Sequence, residues 1–234
     1  MPAAEVPAGN GPSSTASPSR PPAPAYSDPF AALSYGPALT GAAALHPSAR
    51  GRGQLVAVID TGVDAGHPDL AGRVGETADV TGNGWSADLH GTAVAGIIAA
   101  NADNAEGGYG VATDVALLAI KACQPVEAGA LRAKCRTSSL VKALDLAMSR
   151  DAAVINMSLA GPPDDLVARY VALAADQGRL VIAGSGNNGP NARPSYPAAL
   201  PEVIAVTAVD ATERRYRDAN LGDYIDIAAP GVDI

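Results

Sequence analysis

Short apolar runs alternate with segments of helical length from residue 54 onward, and this alternation limits the fold more than any other feature of the chain. Runs such as residues 55–59 (LVAVI) are continuously apolar, which is typical of strands that are covered on both faces. Strand, helix and strand in succession favour a mainly parallel sheet with right-handed crossovers. The sequence therefore predicts a three-layer α/β fold, with helices flanking a mainly parallel sheet.

The other predicted elements follow the same pattern. Apolar runs predict further strands at residues 115–120, 154–158, 180–183, 203–209 and 224–228, and helical spacing predicts helices at residues 92–100, 140–148 and 166–173. Ser138 or Ser139 is expected to cap the second of these helices, and Asp164 the third, which ends at Gly178. A short helical lead-in is expected within residues 29–50.

The first 28 residues differ in composition from the rest of the chain. They are rich in Pro, Ala, Ser and Gly, which predicts a linker or disordered tail because such a segment buries little apolar surface. Residues 29–234 are long enough for one domain. A hydrophobic fraction of 47% with 17% charged residues favours a globular core for that domain.

The charge and hydropathy of the chain argue against some partners. A net charge of −8 weighs against nucleic acid and against an anionic membrane surface. No apolar run approaches the length of about 18 residues that a membrane-spanning helix needs. The first residues show neither the basic start nor the apolar segment of a signal peptide.

Two cysteines, Cys123 and Cys135, flank a polar segment that reads as a loop. An even pair that closes a short loop can form a disulfide, which would indicate a compartment outside the reducing cytosol. Two unrelated thiols are the alternative. A metal site is not expected at these cysteines, since no other Cys or His lies nearby in the sequence.

Polar residues follow three of the predicted strands. Asp60 ends the first strand, Ser158 ends the strand at residues 154–158, and Asn187 lies in a glycine-rich turn after residues 180–183. The carboxyl ends of parallel strands form the ligand-binding edge of such sheets, so these residues are expected to converge. His90 begins the helix that follows the first strand and is expected at the same edge.

A carboxylate, an imidazole and a carboxamide in one place suit nucleophilic acyl transfer. A serine hydroxyl needs a base to become a nucleophile, and an imidazole oriented by a carboxylate is such a base. Asp60 and His90 can supply that pair, although a strand-end Asp is often only a turn residue and a His at a helix start is often only a cap. Asn187 can point its amide at a developing oxyanion.

The turn at residues 184–189 (GSGNNG) has a competing interpretation as a dinucleotide-binding G-x-G-x-x-G motif. That motif requires a helix to begin at once, with its N-terminus facing the pyrophosphate. Three prolines follow instead, and no helical period appears. The context therefore disfavours a nucleotide site.

Taken together, these motifs resemble those of the subtilisin-like serine proteases, the subtilases of peptidase family S8. The matching segments are DTGVD at residues 60–64, HPDL at 67–70, HGTAVAG at 90–96, INMSLAG at 155–161, the turn that contains Asn187, and framework segments at 196–198, 206–210 and 229–232. The resemblance covers about residues 30–234.

The resemblance implies a subtilisin-like fold and a serine endopeptidase that acts on extended polypeptides. It implies that Asp60 orients His90, that His90 is general base and then general acid, and that Asn187 holds the oxyanion. By the same resemblance, the substrate backbone pairs with a strand on one side and meets a pocket wall on the other. The residues concerned are Ser158, Leu159 and Ala160 on the strand, and Gly184, Ser185 and Gly186 on the wall.

The family's nucleophilic motif, Gly-Thr-Ser-Met-Ala, has no counterpart in the 234 residues. The resemblance thus implies a domain that is incomplete at its C-terminus, poorly stable and inactive by itself. Ser158 is not a substitute, because it lies on the substrate-binding strand without a G-x-S-x-G turn. A non-catalytic relative that binds peptides in the retained cleft is the alternative.

The resemblance has further implications for cofactors, partners and location. No cofactor is required, but Asp69 matches a calcium ligand of the family, and the loop at residues 101–108 lies where the rest of that site forms. This loop is one residue longer than usual, so a polar surface loop is an equal alternative. A monomer that is secreted or otherwise extracytoplasmic is expected.

Overall fold

The computed structural model describes residues 26–127 and 132–234. Within these residues the strands are β1 (Leu55–Asp60), β2 (Val74–Asp79), β3 (Ala116–Lys121), β4 (Cys123–Pro125), β5 (Ala133–Cys135), β6 (Val154–Met157), β7 (Leu180–Gly184), β8 (Val203–Val209) and β9 (Ile227–Pro230). The α-helices are α1 (Tyr35–Thr40), α2 (Ala42–Leu45), α3 (Leu89–Ala99), α4 (Thr137–Ser149) and α5 (Asp165–Asp176), and short 3-10 helices lie at Ala31–Leu33 and Pro68–Leu70.

Seven strands form one parallel sheet in the order β2-β3-β1-β6-β7-β8-β9. The chain starts the sheet at β1, then forms the edge strand β2, and returns to place β3 between β2 and β1. It then passes through α4 to β6, on the other side of β1. This reversal of strand order beside β1 opens a crevice at the carboxyl ends of β1 and β6, the usual ligand site in such sheets. None of the helices in residues 26–127 and 132–234 has the length and hydropathy to cross a membrane.

Apolar side chains of the central strands point alternately to the two faces of the sheet, and each face has its own core. Ala57 and Ile59 of β1 pack with α4 and α5 on one face, while Val56 and Val58 pack with α3 on the other. β1 is consequently buried on both sides, which explains its continuous apolar sequence. The predicted three-layer α/β fold is confirmed.

The structure corrects several boundaries and adds elements that were not predicted. Helix α4 begins at Thr137 after Arg136, so neither Ser138 nor Ser139 caps it, and the Ser139 hydroxyl instead donates to the Arg136 carbonyl oxygen at 3.1 Å. The last strand begins at Ile227 rather than at Tyr224. Edge strand β2 and the antiparallel hairpin β4–β5 were not predicted at all.

The hairpin β4–β5 is closed by a disulfide between Cys123 and Cys135, which face each other in its register. Of the two alternatives for these cysteines, the structure contains the bonded one. Closing a loop of this length restricts the unfolded chain and stabilises the fold by about 3 kcal/mol in the chain-entropy model. The disulfide therefore joins the two strands of the hairpin covalently.

Residues 1–25 of the predicted tail at residues 1–28 lie outside the described residues. Asp28, near its end, is 5% exposed and accepts hydrogen bonds at 2.9 Å from the backbone amides of Asp103 and Asn104. The segment that enters the domain is thus bound to the loop at residues 101–108.

Candidate active site

Strand register brings the polar residues after β1, β6 and β7 to one edge of the sheet. Val58 pairs with Asn156, which in turn pairs with Ile182. Two residues further along each strand come Asp60, Ser158 and Gly184. Neighbouring strands lie about 4.8 Å apart, so these three residues occupy successive positions along the crevice.

Asp60 and His90 are in direct contact in this crevice. Nδ1 of His90 lies 2.7 Å from Oδ1 of Asp60, whose carboxylate is 3% exposed, whereas the His90 side chain is 30% exposed. The hydrogen bond to Asp60 raises the pKa of His90 above its ordinary value, although burial of the ring opposes this shift. The buried carboxylate therefore orients an imidazole that remains accessible from the crevice.

Two glycines permit this contact because they let α3 and the loop before it approach the turn after β1 closely. A Cβ atom on Gly91 would lie 2.3 Å from the carbonyl oxygen of Gly62, and a Cβ atom on Gly62 would lie 2.1 Å from that of Ser86. Gly62 also has a φ of +120°, which side-chain-bearing residues rarely adopt. These close approaches account for the glycines that follow Asp60 and His90 in the two motifs.

Asp88 and Thr61 also belong to this cluster, and the sequence interpretation missed both. Asp88 caps α3 by accepting a hydrogen bond from the His90 amide, and its carboxylate also accepts one from the Thr61 hydroxyl. An Asp just before a predicted helix is a recognisable N-cap signal, so Asp88 was within reach of sequence reasoning.

Asn187 lies in the turn after β7 with its side chain exposed, and the turn is held by a buried network around Asn220. The Asn220 amide donates to the Gly186 carbonyl oxygen at 2.9 Å, its Oδ1 accepts from the Asn188 amide at 2.9 Å, and its Nδ2 donates to the Ser195 hydroxyl at 3.0 Å. Asn220 is fully buried and was not singled out from the sequence.

A cavity of about 500 Å³ lies beside the segment that follows β6. Leu159 and Ala160 line it, together with residues 133–135 of the disulfide-closed hairpin and residues 136–137 at the start of α4. Leu140 and Val167 supply apolar walls from α4 and α5. Ser158 and the wall residues Gly184, Ser185 and Gly186 are not among its lining residues; Ser185 is buried, and Gly184 is exposed.

Asp69 lies apart from the crevice, against the loop at residues 101–108. Its carboxylate is 7% exposed and accepts a hydrogen bond from Asn104 at 3.1 Å. Burial raises the pKa of Asp69, and the nearby Asp28 carboxylate adds to that rise. In the described part of the chain, no group of three or more His, Cys, Asp and Glu residues is placed to hold a metal ion.

No serine hydroxyl is bound to the His90 ring within residues 26–127 and 132–234. The ring is bound to Asp60, and the His90 backbone amide donates to Asp88. The Ser158 hydroxyl accepts a hydrogen bond at 2.9 Å from Asn156 instead. The described residues thus bring together an imidazole and a buried carboxylate, without a serine hydroxyl at the ring.

Comparison with known proteins gives a consistent result. The model of the Subtilase family matches residues 51–233. The chain is 41% identical over 186 residues to a thermophilic serine proteinase of Bacillus sp. (strain AK1), covering 78% of this chain and 45% of that protein. It is 37% identical over 207 residues to subtilisin NAT of Bacillus subtilis subsp. natto, covering 86% and 52%. The chain spans about half the length of these two relatives.

The fold gives the same relationship. The solved structure of S41 psychrophilic protease superposes with a TM-score of 0.68 at 33% identity, covering 78% of this chain and 67% of that one. A crystal structure of a cold-adapted subtilisin-like serine proteinase superposes with a TM-score of 0.67 at 27% identity, covering 79% and 65%. By family model, by sequence identity and by fold, this chain belongs to the subtilase family.

Proposed function

We propose that this chain supplies the base, the orienting carboxylate and the substrate cleft of a subtilisin-type serine endopeptidase. The hydrogen bond between His90 Nδ1 and Asp60 Oδ1 at 2.7 Å carries this proposal. A buried carboxylate bound to one ring nitrogen fixes the tautomer, so that the other nitrogen, Nε2, presents its lone pair to the crevice.

In the proposed reaction, Nε2 of His90 accepts the proton of a serine hydroxyl as that oxygen attacks the peptide carbonyl carbon. Asp60 stabilises the resulting imidazolium, which then donates its proton to the leaving amine. A water molecule, activated by the same base, hydrolyses the acyl-enzyme. The raised pKa of His90 supports these roles because it reflects an environment that favours the imidazolium.

Asn187 is proposed to stabilise the oxyanion that forms on the substrate carbonyl. Its exposed side chain and its position in a turn held by Asn220 support this role, because a held backbone limits where the donor amide can lie. The loss of one such donor in comparable sites slows turnover about 10²–10³-fold.

The substrate is proposed to be an extended polypeptide that pairs with Ser158, Leu159 and Ala160 by main-chain hydrogen bonds. Gly184, Ser185 and Gly186 form the proposed opposite wall of the specificity pocket. The apolar side chains in the neighbouring cavity support accommodation of an apolar substrate side chain there. The net charge of −8 argues against nucleic acid or an anionic membrane as a partner.

We further propose that Asp69 and the loop at residues 101–108 bind a structural calcium ion. Asp69 and Asp28 are buried carboxylates beside this loop, and carboxylate oxygens are ligands that calcium prefers. The loop contacts both carboxylates through N–H groups of Asp103 and Asn104, which a bound cation would replace. A cation between the two carboxylates would relieve the repulsion and desolvation that raise the pKa of Asp69. No cofactor is assigned to the peptidase chemistry itself.

The disulfide between Cys123 and Cys135 supports an extracytoplasmic or secreted location, since reducing compartments disfavour such bonds. We propose that the protein acts there as a monomer.

Hydrolysis of a fluorogenic peptide tests the proposed function, using both the 234-residue chain and the longest polypeptide that its gene encodes. The 234-residue chain is expected to be inactive, because no described serine reaches His90. In an active longer polypeptide, a serine-directed inhibitor should abolish turnover, and Asp60→Asn should lower kcat by roughly 10⁴-fold. Unchanged turnover in His90→Ala would refute the proposal.

Peptide binding without hydrolysis is the second candidate. It is favoured by the cavity beside Leu159 and Ala160 and by the lack of a described serine partner for His90. Calorimetric titration of the 234-residue chain with an uncleaved apolar peptide tests it. Two results together would favour this alternative over catalysis. The 234-residue chain should bind the peptide, and Leu159→Asp should weaken that binding. The longest encoded polypeptide should hydrolyse no peptide.

A further inference from the structure

A second carboxylate, that of Asp88, lies beside the Asp60–His90 pair. Oδ1 of Asp88 accepts a hydrogen bond from the His90 backbone amide at 3.1 Å and one from the Thr61 hydroxyl at 2.5 Å. The proposed acyl transfer assigns no role to Asp88 or to Thr61, although both touch the residues that perform it.

Thr61 connects the two carboxylates. Its Oγ1 lies 2.5 Å from Oδ1 of Asp88 and 3.1 Å from Oδ1 of Asp60, and it accepts a hydrogen bond from the Gly91 amide at 3.3 Å. A hydroxyl has a single proton and can donate fully to only one of these carboxylates. The shorter distance favours Asp88. Oδ1 of Asp60 is then left to the Thr61 amide and to His90 Nδ1, each at 2.7 Å.

We propose that Asp88, acting through Thr61, is a positioning residue for the catalytic pair. Its carboxylate draws the Thr61 proton away from Asp60 and thereby reserves the Asp60 oxygen for His90. The inference rests on the proposed function for its catalytic meaning, since a stronger hydrogen bond to Asp60 stabilises the imidazolium that general-base catalysis forms.

The charged groups around His90 are few within residues 26–127 and 132–234. Asp60 faces the ring from the end of β1, and Asp88 lies at the start of α3. Lys121 of β3 is paired in register with Asp60, but its ammonium donates to the loop before α3 at 2.8 Å. Asp88 is therefore the one group, besides Asp60, whose charge favours the imidazolium in this part of the structure.

Loss of the Asp88 charge should act on His90 in two ways with the same sign. It removes a negative charge near the imidazolium. It also weakens the hydrogen bond from the Thr61 hydroxyl, since a neutral acceptor holds a proton less strongly than a carboxylate. The hydroxyl then donates more often to Asp60, where it competes with His90 for Oδ1. Both effects make the imidazolium form of His90 less stable, so His90 should lose its proton at a lower pH.

The titration of His90 in the 234-residue chain tests this inference, followed by nuclear magnetic resonance of the ring with the signal assigned from His90→Gln. Asp88→Asn keeps the size of the side chain and an acceptor oxygen, and it should shift the titration midpoint of His90 to lower pH. Asp164→Asn is the matched control. Asp164 caps α5 and also binds a threonine hydroxyl, that of Thr137, so its change should leave the midpoint in place.

A double-mutant cycle separates the effect of Asp88 that passes through Thr61 from the direct effect of its charge on His90. In a Thr61→Val background the shift caused by Asp88→Asn should be smaller than in the wild type, and Thr61→Ser should restore the full shift. Asp88→Ser, which retains a capping hydroxyl, serves if Asp88→Asn does not fold.

An unchanged midpoint in the folded Asp88 variants would overturn the inference, as would equal shifts in the wild-type and Thr61→Val backgrounds. Because the titration needs no peptidase activity, its outcome is independent of whether the longer polypeptide hydrolyses peptides.

Discussion

A single buried oxygen, Oδ1 of Asp60, accepts hydrogen bonds from the Thr61 amide and the His90 ring, and the Thr61 hydroxyl lies 3.1 Å from it. The other oxygen, Oδ2, is buried and has no partner among the described residues. An anion that is taken out of water in this way needs compensation, and a positively charged imidazole provides it. The folded state should therefore prefer protonated His90.

The stability of the fold should consequently depend on pH through His90. Because the folded-state pKa of His90 is raised, its stabilising contribution is fully present below the unfolded value of about 6.5 and is lost as pH rises through the folded pKa. Urea unfolding at pH values from 6 to 9 should show the wild type losing its advantage over His90→Gln as pH increases.

Two variants control this experiment. Asp60→Asn should flatten the pH dependence because it removes the group that holds the proton on His90. Asp64→Asn removes an exposed carboxylate that binds the Gly66 amide, and it should leave the dependence intact. A stability difference between the wild type and His90→Gln that grows with pH would contradict the assignment.

At the scale of elements, the site depends on how closely α3 approaches the turn after β1. Gly91 permits that approach because it has no Cβ atom. On the same helix, a Cβ atom added to Gly96 would have no other atom within 4 Å. The two glycines therefore test packing and helix propensity separately.

Gly91→Ala should destabilise the protein by about 1–3 kcal/mol, because the new methyl group would overlap the Gly62 carbonyl oxygen. It should also shift the His90 ring resonances, since the helix start must move. Gly96→Ala should instead stabilise by roughly 0.5–1 kcal/mol, the ordinary gain at a helix interior. Urea denaturation measures both, and equal effects of the two changes would exclude the close approach.

The elements also show what the sequence can and cannot predict. Strand β8 and the Asp164 cap were predicted correctly because their signals, an apolar run and a capping residue before a helical pattern, are local. The contact between Asp60 and His90 was expected from the resemblance of the two motifs to those of the subtilases, since His90 lies on a helix and not at a strand end.

Elements with non-local or weak signals were missed. Strand β2 lies at the sheet edge, contains Gly75, Glu76 and Asp79, and shifts register after Val74, so its sequence lacks an apolar run. The hairpin β4–β5 is paired across a disulfide, and the sequence left the bonding of its cysteines open. Thr61 and Asp88 are linked through a fold contact that spacing alone does not reveal.

At the scale of the whole molecule, the entering segment and the region after α3 are bound to each other. Asp28 accepts from Asp103 and Asn104, the Phe30 amide donates to the Gly107 carbonyl oxygen at 2.8 Å, and Asn104 also binds Asp69. The loop thus joins three parts of the chain that are distant in sequence. A cation bound there would stabilise the fold as a whole, since the unfolded chain lacks the site.

Calcium should therefore raise the melting temperature of the chain, and Asp69→Asn should remove most of that rise. At a calcium concentration of 100 times Kd the gain is about 2.7 kcal/mol, which corresponds to roughly 5–10 °C for a domain of this size. Scanning calorimetry with calcium or with a chelator measures it. Asp223→Asn, on an exposed loop, is the matched loss of charge and should keep the full calcium response. A response that survives Asp69→Asn would place the ion elsewhere, and no response in the wild type would refute the calcium proposal while leaving the Asp60–His90 pair unaffected.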